Sequence, residues 1–217
     1  LLARAICQEP EIILLDEPTS YLDIRHKLEL LSLLIKMARQ KNITVITSLH
    51  EIDLAQKVAD RIITVGENSG IGFGNPGDIF EEKKIKELYN IDNGFYDPLF
   101  GSIEMKKPDG DEPEVFVIAG GGSGIPFYRE LQKKNITFAT GVIAENDIDY
   151  VLARLLAARV ISEEAFSNIS DEKISEAKKV IDSCERVICA VQKTGDMNNR
   201  LSELVEYAKE EGKLWQE

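Results

Sequence analysis

The sequence is poor in cysteine, in positive charge and in long apolar runs, and each shortage excludes a class of protein. Its three cysteines, Cys7, Cys184 and Cys189, have no metal-ligand spacing, so we expect reduced thiols rather than disulfides, metal ligands or nucleophiles. The formal net charge of −12 argues against nonspecific binding to nucleic acid or anionic lipid. No apolar run approaches the roughly 18 residues of a membrane span, and no signal peptide is present. We therefore expect a cytoplasmic chain whose membrane role, if any, depends on a partner.

The length of 217 residues suits one large domain or two small ones, and a hydrophobic fraction of 43% is ordinary for a globular chain. The sequence begins Leu-Leu-Ala-Arg-Ala without a methionine, within residues 1–9 that read as the end of a helix. We therefore expect it to be a fragment of a longer protein.

Residues 12–23 are the most informative stretch of the sequence. Four apolar residues, 12–15, predict a strand buried on both faces of a parallel sheet, and Pro18 ends it. Asp16 and Glu17 therefore fall at the carboxyl edge of the sheet, where ligands bind in open α/β folds. Asp16 suits a hard cation such as Mg²⁺, held through water, and Glu17 suits a base that accepts a proton from an attacking water.

The run Leu-Leu-Asp-Glu-Pro-Thr-Ser-x-Leu-Asp, residues 14–23, resembles the Walker B motif and D-loop of ATP-binding cassette (ABC) ATPases. That resemblance implies ATP and Mg²⁺ as cofactors, with Asp16 as the magnesium partner and Glu17 as the catalytic base. It also implies that Asp23 reaches across a dimer of ATPase subunits to shape the opposite nucleotide site. From its position alone, Asp23 could equally cap the helix predicted over residues 24–40, and the two roles are compatible.

A second buried parallel strand is predicted over residues 43–49, and His50 follows at its carboxyl end. A lone histidine is by default a satisfied polar group near the core. Three features argue against that default: the position of His50 at a strand end, its spacing from Glu17 and the surrounding sequence Ser-Leu-His-Glu-Ile-Asp-Leu-Ala. Together they resemble the switch histidine loop of ABC ATPases. The resemblance implies that His50 contacts the γ-phosphate and holds the attacking water.

The sequence after His50, the later Ala-Asp-Arg and the end of the domain at residues 87–91 resemble the ATPase subunits of importers of the iron–siderophore and cobalamin type. This implies a homodimer of ATPase subunits on the inner face of the cell membrane, bound to permease subunits and indirectly to a substrate-binding protein. No G-x-x-x-x-G-K-[ST] motif occurs in the sequence. The signature loop of the family would also lie before Leu1, so we expect no useful ATP hydrolysis from this fragment alone.

Residues 91–113 are rich in Asp, Gly and Pro and predict a linker, after which a second α/β unit begins. Strands are predicted over residues 115–119, 136–143 and 186–191, and helices over residues 126–134, 147–159, 174–183 and 199–211. Alternating strands and helices predict a parallel, Rossmann-like sheet. The pattern looks like a C-terminal extension found on some import-type ABC ATPases, for which the family lends no established activity.

A glycine loop, Gly120, Gly121, Gly122, Ser123 and Gly124, is a candidate cofactor-binding site because its amides would face an anion at a helix N-terminus. The alternative, a tight turn that binds nothing, stays open. Three acids follow the second strand of this unit: Glu145, Asp147 and Asp149. They could contact a ribose or a cation, although helix capping is favoured. Residues 196–199 are predicted at the same edge of the sheet.

The predicted fold class is therefore α/β, with a partial ABC ATPase domain over residues 1–90, a P-loop NTPase fold lacking its P-loop half. Residues 91–113 would be the linker and residues 114–217 the Rossmann-like accessory domain. Two other hypotheses remain: a soluble ABC ATPase that moves no substrate, and a metabolite- or nucleotide-sensing domain fused to a degenerate cassette.

Overall fold

A computed structural model describes residues 4, 6–66 and 70–215, and it is mixed α/β, which confirms the predicted fold class. The chain forms two compact units, Leu1–Met105 and Lys106–Glu217. The helix expected over residues 1–9 lies partly outside the described residues. No helix in the described part of the chain is long and apolar enough to cross a membrane.

The described residues of the first unit form three separate two-stranded sheets with helices between them. Its elements are, in order, β1 (Ile12–Leu15), α1 (Ile24–Lys41), β2 (Thr44–Thr47), α2 (Ile52–Val58), β3 (Ile62–Gly66), β4 (Gly70–Gly74), α3 (Pro76–Ile79), α4 (Glu82–Tyr89), β5 (Gly94–Asp97) and β6 (Ser102–Met105). Strands β1 and β2 are parallel, whereas β3–β4 and β5–β6 are antiparallel hairpins. The last hairpin lies within the stretch predicted as a linker, and the two units divide after it.

The β1–β2 sheet is covered on one face only. Ile13 on β1 packs with Met37 of α1 and with Ile43, because alternate residues of a strand point to opposite faces. On the other face, Ile12 is 58% exposed and Leu14 is 72% exposed. The prediction that this strand is buried on both faces is therefore wrong for the face that carries Ile12 and Leu14.

The second unit is built on one four-stranded parallel sheet in the order β10-β7-β8-β9. Its elements are β7 (Val115–Ile118), α5 (Ile125–Lys133), β8 (Phe138–Ala144), α6 (Ile148–Leu156), β9 (Arg159–Glu163), α7 (Asp171–Ser183), β10 (Arg186–Cys189) and α8 (Leu201–Glu210). Strand β9 was not predicted from the sequence, because its first residue, Arg159, was assigned to the preceding helix. The chain adds β8 and β9 on one side of β7 and then returns to place β10 on the other side.

The core of the second unit surrounds β7, whose four residues are all buried. Helix α7, which follows β9, and helix α8, which follows β10, pack against this sheet through apolar residues such as Ile181 and Leu204. At the outer edge, the backbone N–H of Trp215 donates to the carbonyl oxygen of Val187 on β10 at 2.8 Å. The only tryptophan of the chain is thus anchored to the sheet of the second unit.

Candidate functional site

The three residues that the sequence places at strand ends meet at one edge of the β1–β2 sheet. Asp16 and Glu17 follow β1, and His50 comes shortly after β2, which lies beside β1 in parallel. The Oε1 atom of Glu17 lies 2.6 Å from Nε2 of His50. The proposed base and the proposed phosphate sensor are therefore in direct hydrogen-bond contact.

Ser48 connects the two acids, and sequence reasoning missed it. Its hydroxyl donates to Oδ1 of Asp16 at 2.8 Å and accepts the backbone N–H of Glu17 at 2.6 Å. One hydroxyl therefore orients the Asp16 carboxylate and fixes the backbone of the next residue. The available signal was a hydroxyl residue at the end of the second strand, immediately before the histidine loop.

Glu17 adopts an uncommon backbone conformation, with φ of +43°. Its carbonyl oxygen accepts the backbone N–H of Ser20 at 3.1 Å, and its Oε2 atom accepts the Ser20 hydroxyl at 3.0 Å. A non-glycine residue in the left-handed region is held there by its surroundings, and such residues cluster at functional sites. Here the tight turn after β1 directs the carboxylate towards His50.

The electrostatics of the pair follow from this geometry. The hydrogen bond from His50, assisted by the Ser20 hydroxyl, lowers the pKa of Glu17. The same hydrogen bond, with the negative charge of Glu17, raises the pKa of His50. The carboxylate is therefore held ionised, and the imidazole holds a proton to higher pH than an isolated histidine, so it can donate to an anion.

Glu51, the residue after His50, ties the histidine loop to the turn after β1. Its Oε2 atom accepts the hydroxyl of the buried Thr19 at 3.1 Å, and its Oε1 atom pairs with Lys27 of α1. The Lys27 hydrogen bond is the main cause of the lowered pKa of Glu51. These contacts hold the histidine loop in place relative to the turn that carries Glu17.

Asp23 is the N-cap of α1, as one of its two predicted roles requires. Its side chain accepts the backbone N–H of His26 at 2.9 Å, and Oδ1 lies 2.8 Å from Nδ1 of the same histidine. The backbone N–H of His26 is the main cause of the lowered pKa of Asp23. Within the described residues, no hydrogen bond joins Asp23 to the Glu17–His50 pair.

The donor set at this edge fits a water-coordinated cation. No group of three or more His, Cys, Asp or Glu side chains with metal-binding geometry occurs in residues 4, 6–66 and 70–215. Mg²⁺ usually retains several waters and takes one or two carboxylates, so Asp16, with one oxygen occupied by Ser48, provides a suitable partner.

The glycine loop of the second unit is a separate candidate, and its amides already have acceptors. Asp147 accepts from Gly121 N–H at 2.7 Å, while Asp149 accepts from Gly122 N–H at 3.1 Å and from Gly124 N–H at 3.1 Å. The Ser123 hydroxyl accepts the remaining glycine N–H, that of Gly120, at 3.2 Å. The loop therefore directs its amides to side chains of its own unit.

Asp149 is fully buried, and burial raises the pKa of its carboxyl while the N–H groups of Gly124 and Gly122 oppose that rise. Asp147 is the N-cap of α6 and accepts the backbone N–H of Asp149 at 2.9 Å, which confirms the capping role favoured for it. Gly124 has a steric reason to be glycine, because an added Cβ would lie 2.4 Å from Cζ of Tyr128 and 2.7 Å from Cβ of Ala119, which follows β7. Helix α5 thus packs tightly on the sheet.

Comparisons with known proteins cover both units. The model of the MJ0874 family matches residues 138–215, which lie in the second unit. An uncharacterized ABC transporter ATP-binding protein of Methanocaldococcus jannaschii is 38% identical over 144 residues, covering 66% of this chain and 50% of the relative. A cobalamin import ATP-binding protein of Halobacterium salinarum is 27% identical over 185 residues, covering 82% of this chain and 46% of the relative.

Both of these alignments are longer than the first unit, which ends at Met105, so each extends into the second unit. A further relative, the probable siderophore transport system ATP-binding protein of Bacillus subtilis, is 31% identical over 102 residues, covering 46% of this chain and 37% of the relative. The chain thus spans about half or less of the length of the curated relatives that it matches. Its homologues are ATP-binding proteins of ABC transporters, with cobalamin and siderophore transport systems among them.

Proposed function

We propose that the first unit is the C-terminal half of an ABC ATPase domain, which binds Mg·ATP and supports its hydrolysis in a transporter. The observation that carries the proposal is the contact network of Asp16, Ser48, Glu17 and His50 at the carboxyl edge of β1 and β2. The names of the homologues support the same assignment.

The roles follow from the positions of the side chains. Asp16 would hold Mg²⁺ through coordinated water, and the bound cation would supply positive charge opposite the phosphates. Glu17 orients the attacking water and accepts its proton, whereas His50 donates to the γ-phosphate. In the arrangement described above, His50 lowers the pKa of Glu17, which weakens it as a base. We infer that His50 turns from the carboxylate to phosphate when nucleotide binds, which restores the basicity of Glu17.

The exposed apolar face of the β1–β2 sheet is evidence that the first unit is part of a larger domain. Ile12 and Leu14 present apolar side chains at alternate positions of β1, on one face, and Ile46 of β2 lies exposed beside them. Parallel sheets are normally covered on both faces. We infer that the part of the ATPase domain carrying the phosphate loop and the signature loop covers this face.

The wider assignment is a homodimeric ATPase at the inner face of the cell membrane that drives a permease fed by a substrate-binding protein. Asp23 would reach across the dimer while it caps α1. The imported substrate would be an iron–siderophore complex or a cobalamin. The sequence around His50 and the names of the relatives from H. salinarum and B. subtilis both support this substrate class. The second unit is an accessory domain of this subunit.

The test is the ATP turnover of Glu17→Gln in a polypeptide that joins this chain to an N-terminal half with a phosphate loop. Loss of a positioned base lowers turnover by about 100-fold or more. Glu11→Gln, at the opposite end of β1, is the matched control and should retain activity. Near-normal turnover by Glu17→Gln would show that Glu17 is not the base.

A further inference from the structure

The strand order of the second unit creates a place where ligands bind in open α/β sheets. Strand β7 has β8 on one side and β10 on the other, and the chain changes sides between β9 and β10. Ligands bind outside the carboxyl ends of the strands at such a reversal. Two segments leave the sheet there: the glycine loop after β7, and residues 190–200 after β10.

A cavity of about 260 Å³ lies at this point, between the loop after β10 and helix α8. Its accessible apolar wall is formed by the partly exposed Val191 and Val205, and the lining also includes the buried Ile118 and Leu201. Its rim carries Lys193 from the loop and Lys209 and Glu206 from α8. The volume lies just below the range of about 300–1,000 Å³ typical of drug-sized ligand pockets, so it suits a smaller molecule than a dinucleotide.

The charged groups at the rim make no hydrogen bond or ion pair with the described residues of the chain. They are the ammonium groups of Lys193 and Lys209 and the carboxylate of Glu206. By contrast, Lys134 and Lys213 are bound to acceptors in their own unit. Two ammonium groups against one carboxylate give a positively charged rim in a chain of net charge −12.

The neighbouring glycine loop cannot take the anion in its place. Its amide groups at Gly121, Gly122 and Gly124 donate to Asp147 and Asp149, and these carboxylates add negative charge to that side of the edge. An incoming anion would have to displace a buried carboxylate that already occupies the start of α5. The basic rim of the cavity is the favourable position.

We propose that the second unit binds a small organic anion with a short apolar body in this cavity. The anionic group lies beside Lys193 and Lys209, and the apolar body packs on Val191 and Val205. The glycine loop, which does not line the cavity, serves as a tight turn and makes no contact with the anion.

The experiment is a titration of the ¹⁵N-labelled chain, followed by NMR, with three probes: 4-methylvalerate, acetate and the neutral 4-methylvaleramide. The first should shift the amide resonances of Val191, Lys193 and Ser202 with millimolar affinity. Acetate lacks the apolar body and should bind about tenfold more weakly or worse. The amide lacks the charge and should also bind more weakly.

Variants assign the charge. Lys193→Ala and Lys209→Ala should each weaken 4-methylvalerate binding by about fivefold or more, because each removes one cation from a partly shielded site. Lys133→Ala, on α5 and away from the cavity, is the matched control and should bind as the unchanged chain does.

Three results would overturn the proposal. The first is the absence of any shift in the cavity resonances with about 20 mM 4-methylvalerate. The second is equal binding of the acid and its amide. The third is a set of shifts concentrated at Gly121, Gly122 and Gly124, which would place the ligand on the glycine loop.

Discussion

Asp149 should be the most important acidic residue for the stability of the second unit. Its carboxylate accepts the N–H groups of Gly122 and Gly124 while fully buried. Replacement by alanine leaves the buried N–H of Gly124 and the part-buried N–H of Gly122 without an acceptor, at about 1–3 kcal/mol each. Relief of the buried charge offsets part of that cost. We therefore expect Asp149→Ala to reduce the free energy of unfolding by about 2–5 kcal/mol.

Urea unfolding followed by Trp215 fluorescence measures this effect in the correct unit. Trp215 is the only tryptophan, its backbone is bonded to β10, and the Arg186 guanidinium lies 5.1 Å from its ring centroid. With an m-value of about 1–3 kcal/mol per molar urea, the expected loss lowers the midpoint by about 1 M or more. The fluorescence transition therefore reports on the sheet that Asp149 supports.

Asp147→Ala is the matched control for this experiment. Asp147 is only half-buried, and its replacement removes a helix cap and the bond from Gly121, at a cost of about 1 kcal/mol. If Asp149→Ala is no more destabilised than Asp147→Ala, the buried carboxylate does not secure the glycine loop, and the reasoning is refuted.

The pH dependence adds a second check on Asp149. Because its pKa is raised in the folded state, the unfolded chain ionises first as the pH rises above about 4. Asp149 therefore contributes most to stability at low pH, and part of that contribution is lost as the pH passes through the raised pKa. The stability difference between the unchanged chain and Asp149→Asn should narrow from pH 4 to pH 7. A difference that widens would contradict the assigned direction.

Two further predictions concern hydrogen bonds that the fold creates. An NMR titration should give His50 a pKa above that of an ordinary histidine, and Glu17→Gln should lower the pKa of His50. The resonances of the only other histidine should not change in this variant. If Glu17→Gln leaves the pKa of His50 unchanged, the Glu17–His50 pair does not form in solution. In the second unit, the Thr140 hydroxyl donates to the Val117 carbonyl at 2.7 Å and so must accept from Tyr128 at 2.8 Å. Thr140→Val leaves the buried Tyr128 hydroxyl without an acceptor and should lower the free energy of unfolding by about 1–3 kcal/mol, measured by the same fluorescence assay. Tyr128→Phe should lower it less, by about 0.5–1.5 kcal/mol. The reverse order would contradict this donor assignment.

Much of the fold could be predicted because it depends on residues close together in sequence. Apolar runs marked β1, β2 and β7, and Asp23 and Asp147 are caps at the helix starts where capping residues are expected. The sequence placed Glu17 and His50 at the carboxyl ends of two parallel strands, and the structure shows that these two ends meet. Strand β9 was missed because no turn signal separates it clearly from the helix before it.

The sequence by itself therefore determined the α/β class, the two strand ends that carry Glu17 and His50, and the position of the glycine loop. Only the tertiary structure decided the partners of those groups. Ser48 joins Asp16 and Glu17 across 32 and 31 residues of sequence, and the acceptors for the amides of Gly121, Gly122 and Gly124 lie 25 to 27 residues further along the chain. Hydrogen bonds of this kind depend on strand register and helix placement, which no local pattern specifies. The exposure of Leu14 likewise depends on which elements cover the sheet rather than on the hydrophobicity of the strand.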